Sequence, residues 1–513
     1  MTTRSELHGA TTVGHVISAA LTRHPDRTAI VDSTGALSYA RLAAEIATAA
    51  QALLSAGVRR GDAVAQLAGN SARAWAVQAA AYVVGARFVG VHERAATPDQ
   101  AFTVADSEAV VLVVADDVPA TTVGELTRSA QLRALLTEVD VFDAVRTDVS
   151  LGGLLDAFPD DVARLAYTGG TTGVPKGVLL SHRALVANTM MTMAQYPWPR
   201  DIRFVTGAPI THGAGSYIVP VLAAGGTVVL LPRFTPDGFV EAVQSHHCTA
   251  AHVVPTMIYD LLDRLDGDAR PLATLEMIRY GASPISLSRL EEAISVLGGH
   301  RLVQGYGQTE APNTISVLAP DEHVIGSPQL GSVGVPFVGN EVAVLDEVCQ
   351  PVPSGGAGEI CVRSPLVMDG YWHRDAETQE AFAGDWLHTG DLGRVDERGF
   401  LHIVGRKKDL IITGGFNVYP KEIENVLARH PAVAQAAVVG ISDPRWGEAV
   451  TAAVVTRPGH AVTESELIEL VKTSKGSVAA PKRVVFLDEL PRTPVGKPDK
   501  RTLARELTDG STS

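Results

Sequence analysis

Eleven consecutive residues, Tyr167-Thr168-Gly169-Gly170-Thr171-Thr172-Gly173-Val174-Pro175-Lys176-Gly177, crowd glycines, hydroxyls and one lysine into a single segment. Glycine lets backbone N–H groups approach an anion closely, threonine hydroxyls donate further hydrogen bonds, and lysine adds a point charge. The natural ligand of such a loop is a nucleoside triphosphate. A Walker A loop would need Gly directly before the lysine and Ser or Thr after it. Here Lys176 stands between Pro175 and Gly177, which excludes that motif. A plain Gly/Thr surface turn is the alternative for a short glycine-rich string. The length of this run, with Pro and Lys in place, argues against it.

Two further segments carry suitable chemistry. Tyr306-Gly307-Gln308-Thr309-Glu310 follows an expected strand at 301–304, so an aromatic face, a hydroxyl and a carboxylate fall at the C-terminal edge of a sheet. Open α/β folds bind ligands there. His388-Thr389-Gly390-Asp391 reads as a turn carrying a carboxylate, and Gly405-Arg406-Lys407-Lys408-Asp409 follows fifteen residues later as a charged turn. An Asp accepts hydrogen bonds from both hydroxyls of a ribose and an Arg donates to them. Near the end of the sequence, Arg492-Thr493-Pro494-Val495-Gly496-Lys497 places a lysine in a Pro/Gly setting.

In this order the motifs resemble those of the acyl-adenylate-forming (AMP-binding) superfamily, which includes acyl-CoA synthetases, adenylation domains of peptide synthetases and firefly-type luciferases. The resemblance runs from Pro25-Asp26-Arg27-Thr28-Ala29-Ile30 to Lys497. It implies that Thr168, Gly169, Gly170, Thr171, Thr172, Gly173 and Lys176 hold the triphosphate of ATP. It assigns Gly281, Ala282, Ser283, Tyr306 and Gly307 to the adenylate, with Tyr306 stacking on adenine. Asp391 and Arg406 become the ribose pair. Thr309 bonds phosphate, Glu310 holds Mg²⁺ with Thr172, and Lys497 reaches the acyl carboxylate and α-phosphate. Lys408 falls at the hinge where a small C-terminal domain swings. Gly169 departs from the common pattern, standing where many members carry Ser, and this removes one hydroxyl donor.

Thr211-His212-Gly213-Ala214-Gly215-Ser216 resembles the acyl-pocket motif, with His212 at the aromatic gate. Amino-acid-activating relatives carry an Asp where Gly213 stands, so an α-ammonium would lack a counter-charge here. Gly213, Ala214, Ala282 and Gly305, with Asn313, are the expected pocket residues. The small ones either permit close packing or leave a roomy apolar pocket for a bulky fatty, aryl or polycyclic acid. Gly414, Gly415, Trp446 and Lys482 resemble positions that meet CoA, whereas Val478-Ala479-Ala480 replaces a stretch where some ligases carry an aromatic residue and an Arg. The implied activity is an ATP-dependent acid–CoA ligase, with Lys497, His212, Glu310 and Thr309 as its catalytic set and ATP, Mg²⁺ and CoA as its requirements. An enzyme loading the phosphopantetheine of an acyl carrier protein is the alternative. A non-catalytic adenylate-binding protein is a remoter one, since Lys497, Glu310 and Asp391 are all present.

The elements that must position these residues alternate between helical and strand patterns over the first 400 residues. Ser38 opens an apolar-periodic helix running to Gly57, a strand spans 62–67, and a helix from near Asn70 to Gly85 precedes a strand at 87–91. Thr235 and Pro236 open a helix ending at His246, between strands at 227–232 and 250–254. This is an α/β class with largely parallel sheets. A Pro/Gly-rich stretch at 351–358 before a strand at 359–363 suggests a small β subdomain. Beyond 407 shorter elements read as α+β, with a Pro420 helix, strands at 436–440, 451–456 and 483–487, and a Thr463/Glu466 capping box. Two domains, 1–407 and 408–513, are expected.

Bulk properties agree with this organisation. The chain has 513 residues, 46% hydrophobic and 19% charged, which suits a core without disulfides. A net charge of −14 argues against nucleic acid or an anionic membrane surface as partner. The first residues lack a signal-peptide core, no run suggests a transmembrane helix, and three scattered cysteines fit a reducing compartment, so a cytoplasmic monomer or homodimer is expected. His246-His247-Cys248 reads as a helix end rather than a metal site.

Overall fold

The computed structural model describes residues 11–128, 130–143, 150–168, 175–492 and 498–508. Gly169, Gly170, Thr171, Thr172 and Gly173 of the glycine-rich loop, and Lys497, lie outside them.

Local capping sets the helix starts. The Ser38 hydroxyl accepts from Arg41 N at 3.2 Å and opens Tyr39–Ser55, whose Leu42, Ile46, Ala49, Ala50 and Leu53 are buried. Thr235 caps Pro236–His246, and His247 ends it in the left-handed region at φ 49°. The expected helix near Asn70 begins one step later, as Ala72–Val83 capped by Ser71. The Asn70 side chain is engaged elsewhere: its amide donates to Ala208 O at 2.9 Å and its oxygen accepts from Ile210 N at 2.9 Å. It thereby staples the segment leading into Thr211-His212 to the helix start.

Among the described residues the strands form four sheets. The largest runs Val335–Pro336, Ala311–Leu318, Leu302–Gln308, Met277–Gly281, Ala250–Val253, Arg203–Thr206, Thr227–Leu230, Thr28–Asp32, Gly35–Ser38. It is parallel from Thr28–Asp32 through Leu302–Gln308 and antiparallel at both edges. A seven-stranded sheet carries the Val162–Thr168/Lys176–Ser181 hairpin beside the parallel strands Arg87–Val91, Ala63–Leu67, Ala109–Val114 and Ala134–Thr137. One hydrophobic cluster joins these two sheets: Val64 and Phe88 from the second meet Phe204, Met277 and Val303 from the first, with Leu42 and Trp75 from the helices. A four-stranded antiparallel sheet, Glu341–Leu345, Gly358–Arg363, Leu387–Val395 and Leu401–Arg406, forms the β subdomain.

The fourth sheet contains Phe416–Val418, Ile411–Thr413, Gly447–Thr456, Val433–Asp443 and Arg483–Phe486, and packs its own core around Ile423, Leu427, Val438, Val450, Val454 and Leu467. Thr463 and Glu466 form the expected capping box, with Oγ1 to Oε2 at 2.8 Å. No described helix is long and apolar enough to cross a membrane.

Two motifs sit differently from the sequence expectation. Tyr306-Gly307-Gln308 continues the Leu302–Gln308 strand, and only Thr309-Glu310 turns, into the antiparallel Ala311–Leu318 strand. His388-Thr389-Gly390-Asp391 is part of the Leu387–Val395 strand rather than a turn. In both cases pairing with a distant or following strand overrides the local Gly and Thr turn signal. Because Phe88 is fully buried between the two large sheets, Phe88→Ala should cost about 3–5 kcal/mol. An unchanged urea midpoint for the first unfolding transition would contradict this account of the core.

Candidate active site

Asp391 and Arg406 are cross-strand partners in the antiparallel pair Leu387–Val395/Leu401–Arg406. Asp391 is 5% exposed. Its Oδ1 lies 3.0 Å from Arg406 Nε, and its Oδ2 accepts from the Tyr306 hydroxyl at 2.7 Å. A carboxylate has about four acceptor sites, so two lone pairs remain for ligand hydroxyls. Burial and then the Asp391 charge keep the proton on the Tyr306 phenol. Burial opposes the Arg406 charge, but Asp391 together with Tyr306, Asp409 and Glu310 outweighs it, and the guanidinium is held more firmly charged than usual.

Glu359, 7% exposed, braces this pair from behind. Its Oε2 lies 3.0 Å from both His388 Nδ1 and Lys407 Nζ, and its Oε1 accepts from Gly390 N at 3.0 Å. One carboxylate therefore grips the chain just before Asp391 and just after Arg406. Lys408 follows in the short Lys407–Asp409 turn, which connects the four-stranded sheet to Ile411–Thr413 of the next. Burial, then the nearby Arg406 charge, lower the pKa of Lys408.

On the glycine-rich hairpin, Thr168 pairs with Lys176. Lys176 Nζ lies 3.9 Å from Glu377 Oε1 and 5.3 Å from the centre of the Tyr371 ring. The Tyr371 hydroxyl donates to Glu310 Oε1 at 2.8 Å. Tyr371 thus links the loop lysine to the Glu310 carboxylate, with Thr309 beside it in the same turn.

Close backbone packing explains several small residues. A Cβ on Gly281 would lie 2.3 Å from Gly305 O, and one on Gly307 would lie 2.5 Å from Asn313 N. Ala282 takes φ +69°, an uncommon conformation for a residue with a side chain, and Ser283 follows it. A Cβ on Gly305 would meet the Tyr196 hydroxyl at 2.4 Å and Arg279 Nη2 at 2.7 Å. A side chain at 305 would therefore have to displace the Tyr196 hydroxyl or the Arg279 guanidinium. Ala214 is buried at 2% exposed. Asn313, at φ +59°, donates to Gly213 O at 3.3 Å and to the Ser216 hydroxyl. His212 lies edge-on to His92, with ring centres 4.6 Å apart, and its Nδ1 is 3.1 Å from Thr211 Oγ1. Burial, then the charge of Arg94, favour the neutral form of His92.

Gly414 and Gly415 form the turn between Ile411–Thr413 and Phe416–Val418, at φ +57° and +82°. Gly414 N donates to Trp446 O at 2.7 Å, and Lys482 Nζ and Arg445 Cζ lie 5.2 and 4.9 Å from the centre of the Trp446 ring. The four residues expected to meet CoA are thus near one another, around an aromatic face with two cations. Arg492, at the near end of the Lys497 motif, lies close enough to the Pro255–Leu265 helix to act on the Asp260 carboxyl, which burial and Asp263 raise and Arg492 lowers.

Sequence reasoning missed Tyr371, Glu359, His92 and Arg279. Arg279 alone carried a local signal, being a cation inside the apolar strand Met277-Ile278-Arg279-Tyr280. A surface cavity of about 410 Å³ lined by Arg27, Asp201, Arg203 and His246 contains none of the residues expected to bind ATP, the acid or CoA. It lies at the starts of the parallel strands, opposite the ligand-binding edge.

The sequence profile described as AMP-binding enzyme matches residues 17–372, and that of the AMP-binding enzyme C-terminal domain matches 422–497. A medium/long-chain-fatty-acid–CoA ligase of Mycobacterium tuberculosis is 39% identical over 98% of this chain and 92% of its own length. A feruloyl-CoA synthase of an Amycolatopsis species is 37% identical over 92% of this chain and 94% of its own. Among solved structures, the amide bond synthetase of Marinactinospora thermotolerans superposes with a TM-score of 0.88 at 33% identity, covering 96% of this chain and 99% of its own.

In Glu359 burial raises the carboxyl pKa, but the His388 and Lys407 contacts outweigh it and the net shift is downward. A depressed folded-state value means stability that is present above the ordinary carboxylate pKa and is lost as pH falls through the lower one. Glu359→Gln should therefore melt earlier than wild type at pH 7, with the deficit shrinking below about pH 4. A deficit of constant size across that range would contradict the charged role of Glu359.

Proposed function

This chain belongs to the family of AMP-binding enzymes, and on that premise we propose that it is an ATP-dependent acid–CoA ligase. It activates a carboxylic acid as acyl-AMP, releases pyrophosphate, and passes the acyl group to the thiol of CoA. The observation that carries this reading is the Tyr306–Asp391–Arg406 cluster, in which buried Asp391 takes a hydrogen bond from Tyr306, on the hairpin that presents Thr309 and Glu310, and an ion pair from Arg406 of the β subdomain.

A carboxylate is a poor electrophile, so its oxygen first attacks the α-phosphorus of ATP and pyrophosphate leaves. Asp391 accepts from the ribose hydroxyls and Arg406 donates beside it, with Tyr306 offering its ring to the adenine. Lys176 sets a positive charge against the β- and γ-phosphates, and the loop residues 168–173 supply further donors. Glu310 fits a magnesium site, since one carboxylate plus substrate phosphates is a usual set for that ion and Tyr371 holds the Glu310 head in place. Mg²⁺, when bound with Thr172 and Glu310, offsets charge on the triphosphate. Lys497 stabilises the negative charge that develops at the α-phosphate, and His212 closes the acyl site. Fixed charges act strongly there because the closed site excludes water.

For the second half-reaction the C-terminal domain, 408–513, turns about Lys408 relative to residues 1–407. This motion withdraws Lys497 and brings Gly414, Gly415, Trp446 and Lys482 to the thiol. Geometry supports this part of the reading through the Trp446 face, which carries Lys482 and Arg445 where a nucleotide phosphate would need cations.

Pyrophosphate release with ATP·Mg²⁺ across fatty, aryl, polycyclic and dicarboxylic acids, with and without CoA, tests the proposal. Multiple turnovers with acyl-CoA formed only in the presence of CoA are expected. A single stoichiometric burst indifferent to CoA would instead indicate loading of a carrier protein. Lys497→Ala should lose acyl-AMP formation by roughly 10²–10³-fold while still making thioester from preformed acyl-AMP. Equal loss of both half-reactions would contradict the role given to Lys497.

A further inference from the structure

The wall beside Gly305 contains a cation with no counter-charge. Arg279 is 2% exposed, and an arginine cannot shed its proton to escape burial. Its Nη1 lies 3.2 Å from His252 Nδ1, its Nη2 donates to Gly305 O at 3.3 Å, and its Nε to the Tyr196 hydroxyl at 3.5 Å. These contacts are long for a charged donor, whose bonds to an anion run to about 2.7–2.9 Å. Among the described residues no carboxylate pairs with it, and the neutral phenols of Tyr196 and Tyr217 lie beside it. His252 offers no compensation, because burial and then the Arg279 charge hold it neutral.

A second polar group in the same wall is unsatisfied. Tyr217 is 1% exposed, its ring lies 5.1 Å from the Arg279 guanidinium carbon, and its hydroxyl has no well-formed hydrogen bond, although it lies beside Tyr196. Burying a hydroxyl without a partner is unfavourable, and burying an unpaired charge is far more so. Both groups adjoin acyl-site elements. Tyr217 ends the Gly213–Tyr217 turn that Asn313 anchors, and Arg279 bonds the same Gly305 carbonyl that packs on Gly281. Side chains alternate along a strand, so Arg279 and Gly281 share a face. The cation then lies one pleat, roughly 7 Å, deeper than the strand end given to the adenylate.

We infer that the acid activated here carries a second carboxylate, remote from the one adenylated, and that Arg279 and the Tyr217 hydroxyl bind it at the deep end of the acyl pocket. The inference rests on the ligase reading above and specifies its substrate class as dicarboxylic acids activated at one end. An apolar acid of the same length would leave the guanidinium without an anion and the Tyr217 hydroxyl without a partner, and sites built around such groups reject analogues lacking the matching one.

Matched pairs of acids test this on the full-length enzyme: hexanoate against adipate, octanoate against suberate, and cinnamate against 4-carboxycinnamate, each by kcat/KM for pyrophosphate release. Wild type should favour the dicarboxylate at least about 10-fold in one or more pairs. Arg279→Met should lose at least about 100-fold on that dicarboxylate while holding or gaining activity on its monocarboxylate partner. Arg279→Lys should recover part of the loss, and Tyr217→Phe should reduce kcat/KM for the dicarboxylate alone. A wild-type preference for the monoacid in every pair would overturn the inference and leave the ligase reading standing. So would equal loss of both acids in Arg279→Met, which would mark a purely structural arginine. If Arg279→Met fails to fold, the wild-type preference and Tyr217→Phe decide the matter. Absence of pyrophosphate release with any acid would overturn the ligase reading and this inference with it.

Discussion

A buried carboxylate must be shared among donors, and in this protein Asp391 is where that constraint concentrates. It takes one hydrogen bond from Tyr306 on the nine-stranded sheet and an ion pair from Arg406 on the neighbouring strand of the β subdomain. Breaking the Arg406 contact would leave the buried Asp391 charge uncompensated, and losing the Tyr306 bond would leave one of its oxygens without that donor. The junction between the two sheets, and the turn that leads on to Lys408, are therefore tied to one side chain. Glu359 reinforces the arrangement by gripping His388, Gly390 and Lys407. A ligand that takes the spare lone pairs of Asp391 acts directly on the segment leading to the C-terminal sheet.

The same economy of elements appears around the acyl site. Parallel strands bring the Gly305 carbonyl so close to Gly281 that only glycine fits at 281. That approach brings Arg279 against Gly305 from behind. Asn70 and Asn313 hold the loop of His212 and Gly213 from opposite sides, one through Ala208 and Ile210, the other through Gly213 and Ser216. The polar site is thus made of residues far apart in sequence, held by backbone contacts too tight to slip.

Features set by local chemistry were legible in the sequence. Caps at Ser38, Thr235 and Thr463 are hydrogen bonds spanning three residues, so the residue types alone announce them. The parallel α/β class followed from alternating periodicity. Features set by distant partners were not legible. Tyr306 to Gln308 is strand because Ala311–Leu318 folds back against it, and Asp391 is strand because Arg406 lies opposite, although both segments carry turn-forming residues. Glu359 and Tyr371 look like ordinary strand residues until folding sets them beside Lys407 and Glu310. The roles of Gly305 and Arg279 depend on each other's position, which no local pattern encodes.

The central claim is that Asp391, held by Tyr306 and Arg406, organises an adenylate-forming site. Acid-dependent exchange of radiolabelled pyrophosphate into ATP, compared between wild type and Asp391→Asn at matched folded content, tests it most directly. The account predicts exchange in the wild type only when an acid is supplied, and a loss of about 100-fold or more in the variant. Exchange retained at the wild-type rate in Asp391→Asn would contradict it.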